Sequence, residues 1–308
     1  ILNVMPSSSF FSQFLCSSNT NVAFILQRLV SRIGCVYLAN HNMPVIAFSP
    51  VSYCIQKNKK ILHYARNQKS EYKQTELQDF KSFMDIQKTE HSAHFDGFNG
   101  GYIGFFDYNF STNQQIHNQH RQQPAFFLGQ YLTFLRLENQ QWVFYSTEEN
   151  SEEIFNNIKH LIKNKPISTP SFSMTMPCQA RWNKNQYLNA FKKIQDYIRA
   201  GDCYQINLTQ EFTAKTTGNL LDAAHELWQL TNAPYAGYLK IDDFELLSCS
   251  PELFIDFETE RKIVTKPIKG TMPRYADPIL DEQSKQTLKS SKKDQAENVM
   301  IVDLLRND

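Results

Sequence analysis

Lys269 stands in the run Lys266-Pro267-Ile268-Lys269-Gly270-Thr271, between an apolar residue and a glycine. Pro267, just before, stiffens the backbone. A lysine amine held at a strand end and partly desolvated sheds its proton readily and becomes a nucleophile. The plainer alternative, a solvated lysine in a turn, is what spacing alone favours. Upstream, Ser250-Pro251-Glu252 sets a carboxylate at a strand entry. Burial would fit it for general acid or base work, whereas exposure would leave it merely solvated. Asp294 and Glu297 lie three residues apart in a stretch of helical composition, so their carboxylates share one face. Paired hard oxygens suit Mg²⁺, which keeps waters and borrows oxygens from its substrate. A face salt-bridged with Lys292 and Lys293 accounts for the same residues without metal.

Two further patterns carry less. Gly100-Gly101-Tyr102-Ile103-Gly104 does not match GxGxxG and lacks the acidic residue that follows a dinucleotide-binding unit, so it reads as a tight strand crossing. His91/His94 and His117/His120 have HxxH spacing but sit in polar sequence without a third ligand, and read as solvated loop histidines.

The elements that must position these groups follow from periodicity. Residues 22–30 are amphipathic, and residues 35–39 and 45–48 are apolar, strand-like runs. Residues 131–137 and 142–146 read as two strands joined by a polar turn. Ile154, Ile158, Leu161 and Ile162 share a helical face that Asn150 or Ser151 caps. Residues 164–179, rich in Pro, Ser and Thr, read as a linker. Tyr187, Ala190, Phe191, Ile194 and Ile198 make one apolar stripe that Gly201 ends. Residues 203–212 alternate as a strand, with Gln205, Asn207 and Thr209 on one side. A helix over 220–230 precedes two hairpins, 235–241 with 245–249 and 253–257 with 262–265. From residue 282 onward the composition is helical with few breakers. Hairpin strands interspersed with long helices predict an α+β fold of antiparallel sheets covered by helices.

Composition narrows the function classes. Of 308 residues, 32 are Lys or Arg and 31 Asp or Glu, a net charge of +1 that offers no broad cationic surface; electrostatics dominate most nucleic-acid binding, so no nucleic-acid partner is expected. No apolar run approaches the roughly 18 residues of a membrane-spanning helix. The first residues have neither a basic flank nor a small-residue cleavage pattern, so no secretory leader is expected. Six cysteines without a CxxC pair fit a reduced, cytoplasmic protein with free thiols.

Taken in order, several blocks resemble the chorismate-utilising enzymes. They are Gly201-Asp202-Cys203-Tyr204-Gln205-Ile206-Asn207-Leu208, Ala233-Pro234-Tyr235, Leu247-Ser248-Cys249-Ser250-Pro251-Glu252, residues 266–274, and Lys293-Asp294-Gln295-Ala296-Glu297-Asn298 running on to Asp308. Phe98–Tyr108 is similar to the family's FxGGxxGxxxY stretch. The likeness is dense from about residue 182 onward. It implies an anthranilate synthase component I-like region over 1–163, a linker over 164–181, and a chorismate-binding catalytic domain over 182–308.

Lys269 separates the branches of this family, because anthranilate synthases typically carry PIAGT where this chain has PIKGT. The resemblance therefore implies the branch that aminates chorismate at C4, making 4-amino-4-deoxychorismate for p-aminobenzoate and folate. It implies Lys269 as nucleophile at C2, Glu252 as acid–base, and Gly270 and Thr271 as substrate-binding. It further implies Mg²⁺ at Glu297, with Asp294 supporting, and a glutamine amidotransferase subunit supplying ammonia in a heterodimer. The rivals are anthranilate synthase chemistry and a non-catalytic module that binds the glutaminase.

Two departures stand out. The family's further metal and substrate ligands lie in a C-terminal segment beyond the DLLRND run, so the fold is expected to be C-terminally incomplete and residues 1–308 alone inactive and poorly stable. Many relatives bind tryptophan through a loop after the first strand, together with an equivalent of residues 233–235. Here the loop over residues 40–44 is short and lacks the usual serine and aromatic groups, leaving Pro234 and Tyr235 as half of a tryptophan effector site.

Overall fold

The computed structural model describes residues 11–17, 20–57, 59–86, 97–108, 110, 123–164 and 171–307. The four histidines of the HxxH pairs lie outside them. In chain order the first half contains β1 (Phe11–Ser17), α1 (Val22–Leu29), β2 (Cys35–Leu38), β3 (Val45–Ala47), β4 (Ser52–Lys57), β5 (Lys60–Arg66), β6 (Tyr72–Leu77) and α2 (Phe80–Ile86). It continues with β7 (Gly101–Phe106), β8 (Phe126–Tyr131), β9 (Thr133–Glu138), β10 (Gln141–Ser146) and α3 (Ser151–Lys163). After short strands β11 (Ser173–Met174) and β12 (Gln179–Ala180) come α4 (Lys184–Ala200), β13 (Phe212–Thr213), β14 (Thr216–Thr217) and α5 (Leu221–Thr231). The last elements are β15 (Tyr235–Ile241), β16 (Phe244–Ser250), β17 (Leu253–Phe257), β18 (Ile263–Lys266), α6 (Pro278–Ser290) and α7 (Lys292–Asn307).

Short apolar strands without polar alternation must be covered on both faces, and the larger sheet is. It has seven antiparallel strands in the order β1-β10-β9-β3-β2-β15-β16, beside a five-stranded sheet β6-β5-β4-β8-β7. Because side chains alternate along a strand, Tyr37, Ile46, Leu135, Trp142, Phe144 and Tyr238 all point to one side. There they meet Ile25 and Leu29 of α1, Phe155 and Ile158 of α3, and Leu221 of α5. Their neighbours Val36, Val45, Ala47, Phe134, Tyr145 and Leu239 point to the other side, against Tyr53, Ile55, Ile103 and Phe127 of the smaller sheet. Each such buried side chain is worth roughly 1.5–3 kcal/mol. The α+β architecture read from the sequence is the one observed.

Two strand expectations change. The run over 131–137 is not one strand: the chain leaves the smaller sheet at Tyr131, passes Leu132, and enters the larger sheet at Thr133. Both halves are equally apolar, so periodicity hides the crossing. The turn after β9 is the expected one, with Glu138 paired to Gln141 and positive φ at Asn139 (46°) and Gln140 (62°), the geometry of a tight two-residue hairpin. Residues 203–211 form no regular strand; the segment lacks a pairing partner among the described residues until β13 meets β12. At Gly104 a Cβ would fall 1.9 Å from the Phe127 carbonyl oxygen, so the glycine-rich run serves the close β7–β8 approach.

Beyond residue 171 the chain both joins the larger sheet and extends from it. β15 pairs with β2 (Tyr238 opposite Tyr37), so strands from both sides of the 164–181 segment share one sheet. Helix α4 begins with a capping box between Asn183 and Gln186 and ends at Gly201 in the left-handed conformation (φ 82°), as local capping rules require. None of its residues is buried. The long helical stretch near the end is two helices, because Ser291 turns extended and its hydroxyl accepts from the Asp294 amide at 3.3 Å, starting α7 afresh. Large apolar side chains on this half stand open, among them Phe254, Phe257 and Ile263. All six cysteines are free thiols. Among the described residues no helix is long and apolar enough to cross a membrane.

Candidate active site

The β17–β18 hairpin brings Glu252 and Lys269 together. Leu253 pairs with Lys266, so the residue before one strand faces the residues after the other. The Ile268 amide donates to Glu252 Oε1 at 3.1 Å, and Lys269 Nζ lies 3.9 Å from the same oxygen. That separation is an ion pair without a formed hydrogen bond. The Lys269 side chain keeps only 20% of its exposure and that of Glu252 39%. Behind Glu252, the Ser250 hydroxyl donates to its carbonyl oxygen at 3.2 Å.

Gly270 follows with φ 73°, a left-handed turn, and its missing side chain lets the loop press against Asp294 of α7. A Cβ at this position would meet the Asp294 carboxyl carbon at 2.7 Å. Thr271 is exposed at the start of the loop that leads to α6. Further along, Arg274 donates twice to the Asp281 carboxylate, at 2.8 and 2.9 Å, and the Tyr275 amide donates to it at 3.0 Å. The Arg274 hydrogen bonds, with the backbone donor second, hold the Asp281 carboxyl below the usual range. The Ser284 hydroxyl donates to the Pro273 carbonyl at 2.6 Å. The loop carrying Lys269 and Thr271 is thus tied to α6 downstream and to Glu252 upstream.

Glu297 sits one helical turn beyond Asp294. Gln205, from the irregular segment after α4, donates its side-chain amide to Glu297 Oε1 at 3.2 Å. Among the described residues no three His, Cys, Asp or Glu side chains are grouped to hold a metal. Mg²⁺ takes one or two protein carboxylates and fills its remaining positions with water and substrate oxygens, so Asp294 and Glu297 are a donor set that fits it.

Glu252 thus meets Lys269, Gly270 meets Asp294, and Glu297 follows one turn along the same helix, bringing in three neighbouring segments of the chain. Gln205 is an addition; polar alternation and its place in the family-like block over residues 201–208 marked it, and neither named a role. Pro234 and Tyr235 lie at the entry of β15. The Pro234 carbonyl accepts from the His41 amide at 3.0 Å, and the Tyr235 ring stacks on His41 with centroids 6.0 Å apart. The loop after β2 thus meets these two residues through His41. Tyr235 is also in register with Ser250, two residues from Glu252. A cavity of about 640 Å³ lies elsewhere, lined by Arg32, Phe48, Arg66, Glu148 and Glu153 among others, and includes none of these groups.

The family of chorismate binding enzymes matches this chain across residues 35–308. Aminodeoxychorismate synthase component 1 from Klebsiella aerogenes is 44% identical over 138 residues, covering 45% of this chain and 30% of that protein. The component 1 protein from Escherichia coli K12 is 35% identical over 216 residues, covering 68% of this chain and 47% of that one. The chain thus spans less than half the length of these curated relatives. Among solved structures, anthranilate synthase component I from Streptococcus pneumoniae TIGR4 shares the fold with a TM-score of 0.69 at 21% identity, over 86% of this chain and 60% of that one.

Proposed function

Because this chain belongs to the chorismate-binding enzymes, matched from residue 35 to 308, we propose that it carries the aminodeoxychorismate synthase component I activity, converting chorismate and ammonia to 4-amino-4-deoxychorismate. The observation that carries this reading is the amine of Lys269 lying 3.9 Å from Glu252 Oε1. One proton passed from Nζ to that oxygen makes both species the reaction needs, a neutral amine and a carboxylic acid. The amine then bonds to C2 of the ring, the ring double bonds shift, and the C4 hydroxyl departs as water with the Glu252 proton. Ammonia bonds to C4, the C2–nitrogen bond breaks, and Lys269 is regenerated. Two displacements retain stereochemistry, and they divide one hard step into two, as covalent catalysis does. Anthranilate synthase chemistry, the nearest rival, is disfavoured by the same amine, since the alanine of that branch has no covalent route.

Asp294 and Glu297 would hold Mg²⁺, which supplies positive charge for the substrate carboxylate. Gly270 and Thr271 are the proposed substrate-binding positions beside Lys269, with Gly270 seating the loop against Asp294. Neutral ammonia is scarce near pH 7, so a glutamine amidotransferase subunit is the proposed source. We place the catalytic part over 182–308 and the protein in the cytoplasm, in keeping with its free thiols. Pro234, whose carbonyl accepts from the His41 amide, and Tyr235, whose ring stacks on His41, are the proposed half-site for tryptophan.

Mass spectrometry of the full-length protein incubated with chorismate, Mg²⁺ and limiting ammonia tests the reading. A chorismate-derived adduct on Lys269, absent in Lys269→Ala, is the expected result. C4 amination retained by Lys269→Ala, with no adduct on the parent, overturns it.

A further inference from the structure

Gln205 and Glu297 are 92 residues apart and lie on different elements, yet their side chains meet at 3.2 Å. Helix α7 contributes no buried side chain, so packing does not fix the rotamers on its surface. A glutamate there samples several orientations, and ordering it for ligation costs side-chain entropy. A neutral amide donor removes that freedom without adding charge. With Oε1 accepting one hydrogen bond from Nε2, Oε2 and the remaining lone pair of Oε1 stay available. A cationic side chain in the same place would instead neutralise the carboxylate and compete with a metal ion.

The segment bearing Gln205 is itself anchored nearby. The Gln210 side chain accepts from the Trp182 amide at 3.1 Å, and the Glu211 carbonyl from the Arg181 amide at 2.8 Å. Gln205 thus reaches α7 from a separately tethered stretch, which is the arrangement by which an outer partner orients a metal-binding side chain.

We propose that Gln205 is a positioning residue for Glu297, holding its carboxylate in the orientation that meets a divalent cation shared with the substrate. The assignment rests on the magnesium reading of Asp294 and Glu297 given above. Gln205 touches no reacting atom in this role; it acts through Glu297 alone.

Cation binding tests this without turnover. Mn²⁺, which favours the same carboxylate and water ligands, is titrated into the protein with chorismate present, and free ion is followed by electron paramagnetic resonance. Gln205→Met keeps the side-chain length and removes the donor. It is expected to weaken Mn²⁺ binding about tenfold or more, the usual loss for an outer partner of a metal ligand. The melting temperature stays unchanged, because Gln205 is exposed. In a Glu297→Gln background the same change is expected to add nothing. Parental affinity in Gln205→Met, when Glu297→Gln loses the cation, overturns the role of Gln205 and leaves the magnesium reading standing. A further loss in the double variant overturns it too, since Gln205 would then act independently of Glu297. Unchanged binding in Glu297→Gln overturns the magnesium reading itself and this role with it.

Discussion

Gly270 faces Asp294 so closely that a Cβ on the glycine would lie 2.7 Å from the carboxyl carbon and 3.0 Å from Oδ1. The loop that presents Lys269 and the helix that presents the two acids are thus fitted to each other at a position only glycine can occupy. Its φ of 73° adds a left-handed backbone, which costs an L-residue about 1–2 kcal/mol. Gly270→Ala is therefore expected to push the loop off α7 and lower C4 amination at least about tenfold, a displacement of about an ångström being enough for that. Circular dichroism melts check that the fold survives, since the segment lies outside the buried core. Parental activity in the variant would show that this contact positions nothing.

Glu252→Gln keeps the shape and still accepts from the Ile268 amide, but cannot take up the proton of Lys269. Turnover is expected to fall roughly 10²–10⁴-fold, the range for loss of a general acid–base group. A pre-steady-state assay with chorismate separates the roles: less adduct at Lys269 and unchanged chorismate affinity are expected. A large loss of affinity with normal adduct formation would reassign Glu252 to binding.

Tyr131 is fully buried and its hydroxyl donates to the Gly34 carbonyl at 2.6 Å. Gly34 has φ 61°, and a Cβ there would sit 2.9 Å from the same hydroxyl oxygen. Tyr131→Phe leaves a buried carbonyl without its donor and is expected to cost about 1–3 kcal/mol. Gly34→Ala combines backbone strain with the clash and is expected to cost more, about 2–4 kcal/mol. Urea titrations of the two variants give the order, and the reverse order would count against this account of the β8–β9 crossing.

His63 is buried on β5, with Thr75 beside its Nδ1 at 3.3 Å and the Phe83 ring at 5.4 Å. Burial lowers its pKa from the ordinary 6.5. The neutral ring is the form that folding favours. Its stability contribution is therefore complete above the unfolded value of 6.5 and is lost as pH falls through the lower folded value. Melting temperatures between pH 7.5 and 5 are expected to drop more steeply in the parent than in His63→Gln, with no difference in slope above pH 7. Parallel curves would rule this out.

Cys35 and Cys54 are fully buried, and burial pushes both thiols up to about 12. Cys178 is exposed. Since thiolate is the reactive form, iodoacetamide at pH 8 is expected to label Cys178 within minutes and Cys35 and Cys54 only in denaturant. Peptide mass mapping reads the order directly.

Much of this was legible because its causes are local. The Gly201 stop, the Asn139-Gln140 turn and the hairpin around Asp242-Asp243 depend on residues within a few positions of one another. The same holds for the i,i+3 spacing of Asp294 and Glu297 and for the lysine in the KGT run. Local chemistry leaves a pattern in the chain, and the α+β class follows from counting such patterns.

The tertiary structure decided what joins distant segments. Periodicity could not show the sheet change at Leu132, since both strands are apolar, nor the loss of a strand over 203–211, since alternation does not supply a neighbour. The pairing of β15 with β2 spans about two hundred residues. The meeting of Gln205 with Glu297, and of Gly270 with Asp294, depends on where helix α7 restarts at Ser291. Such contacts form only when chain folding brings the elements together, and no spacing rule records them. Amino-acid type and spacing determined which groups this protein has for its chemistry; packing determined which of them meet.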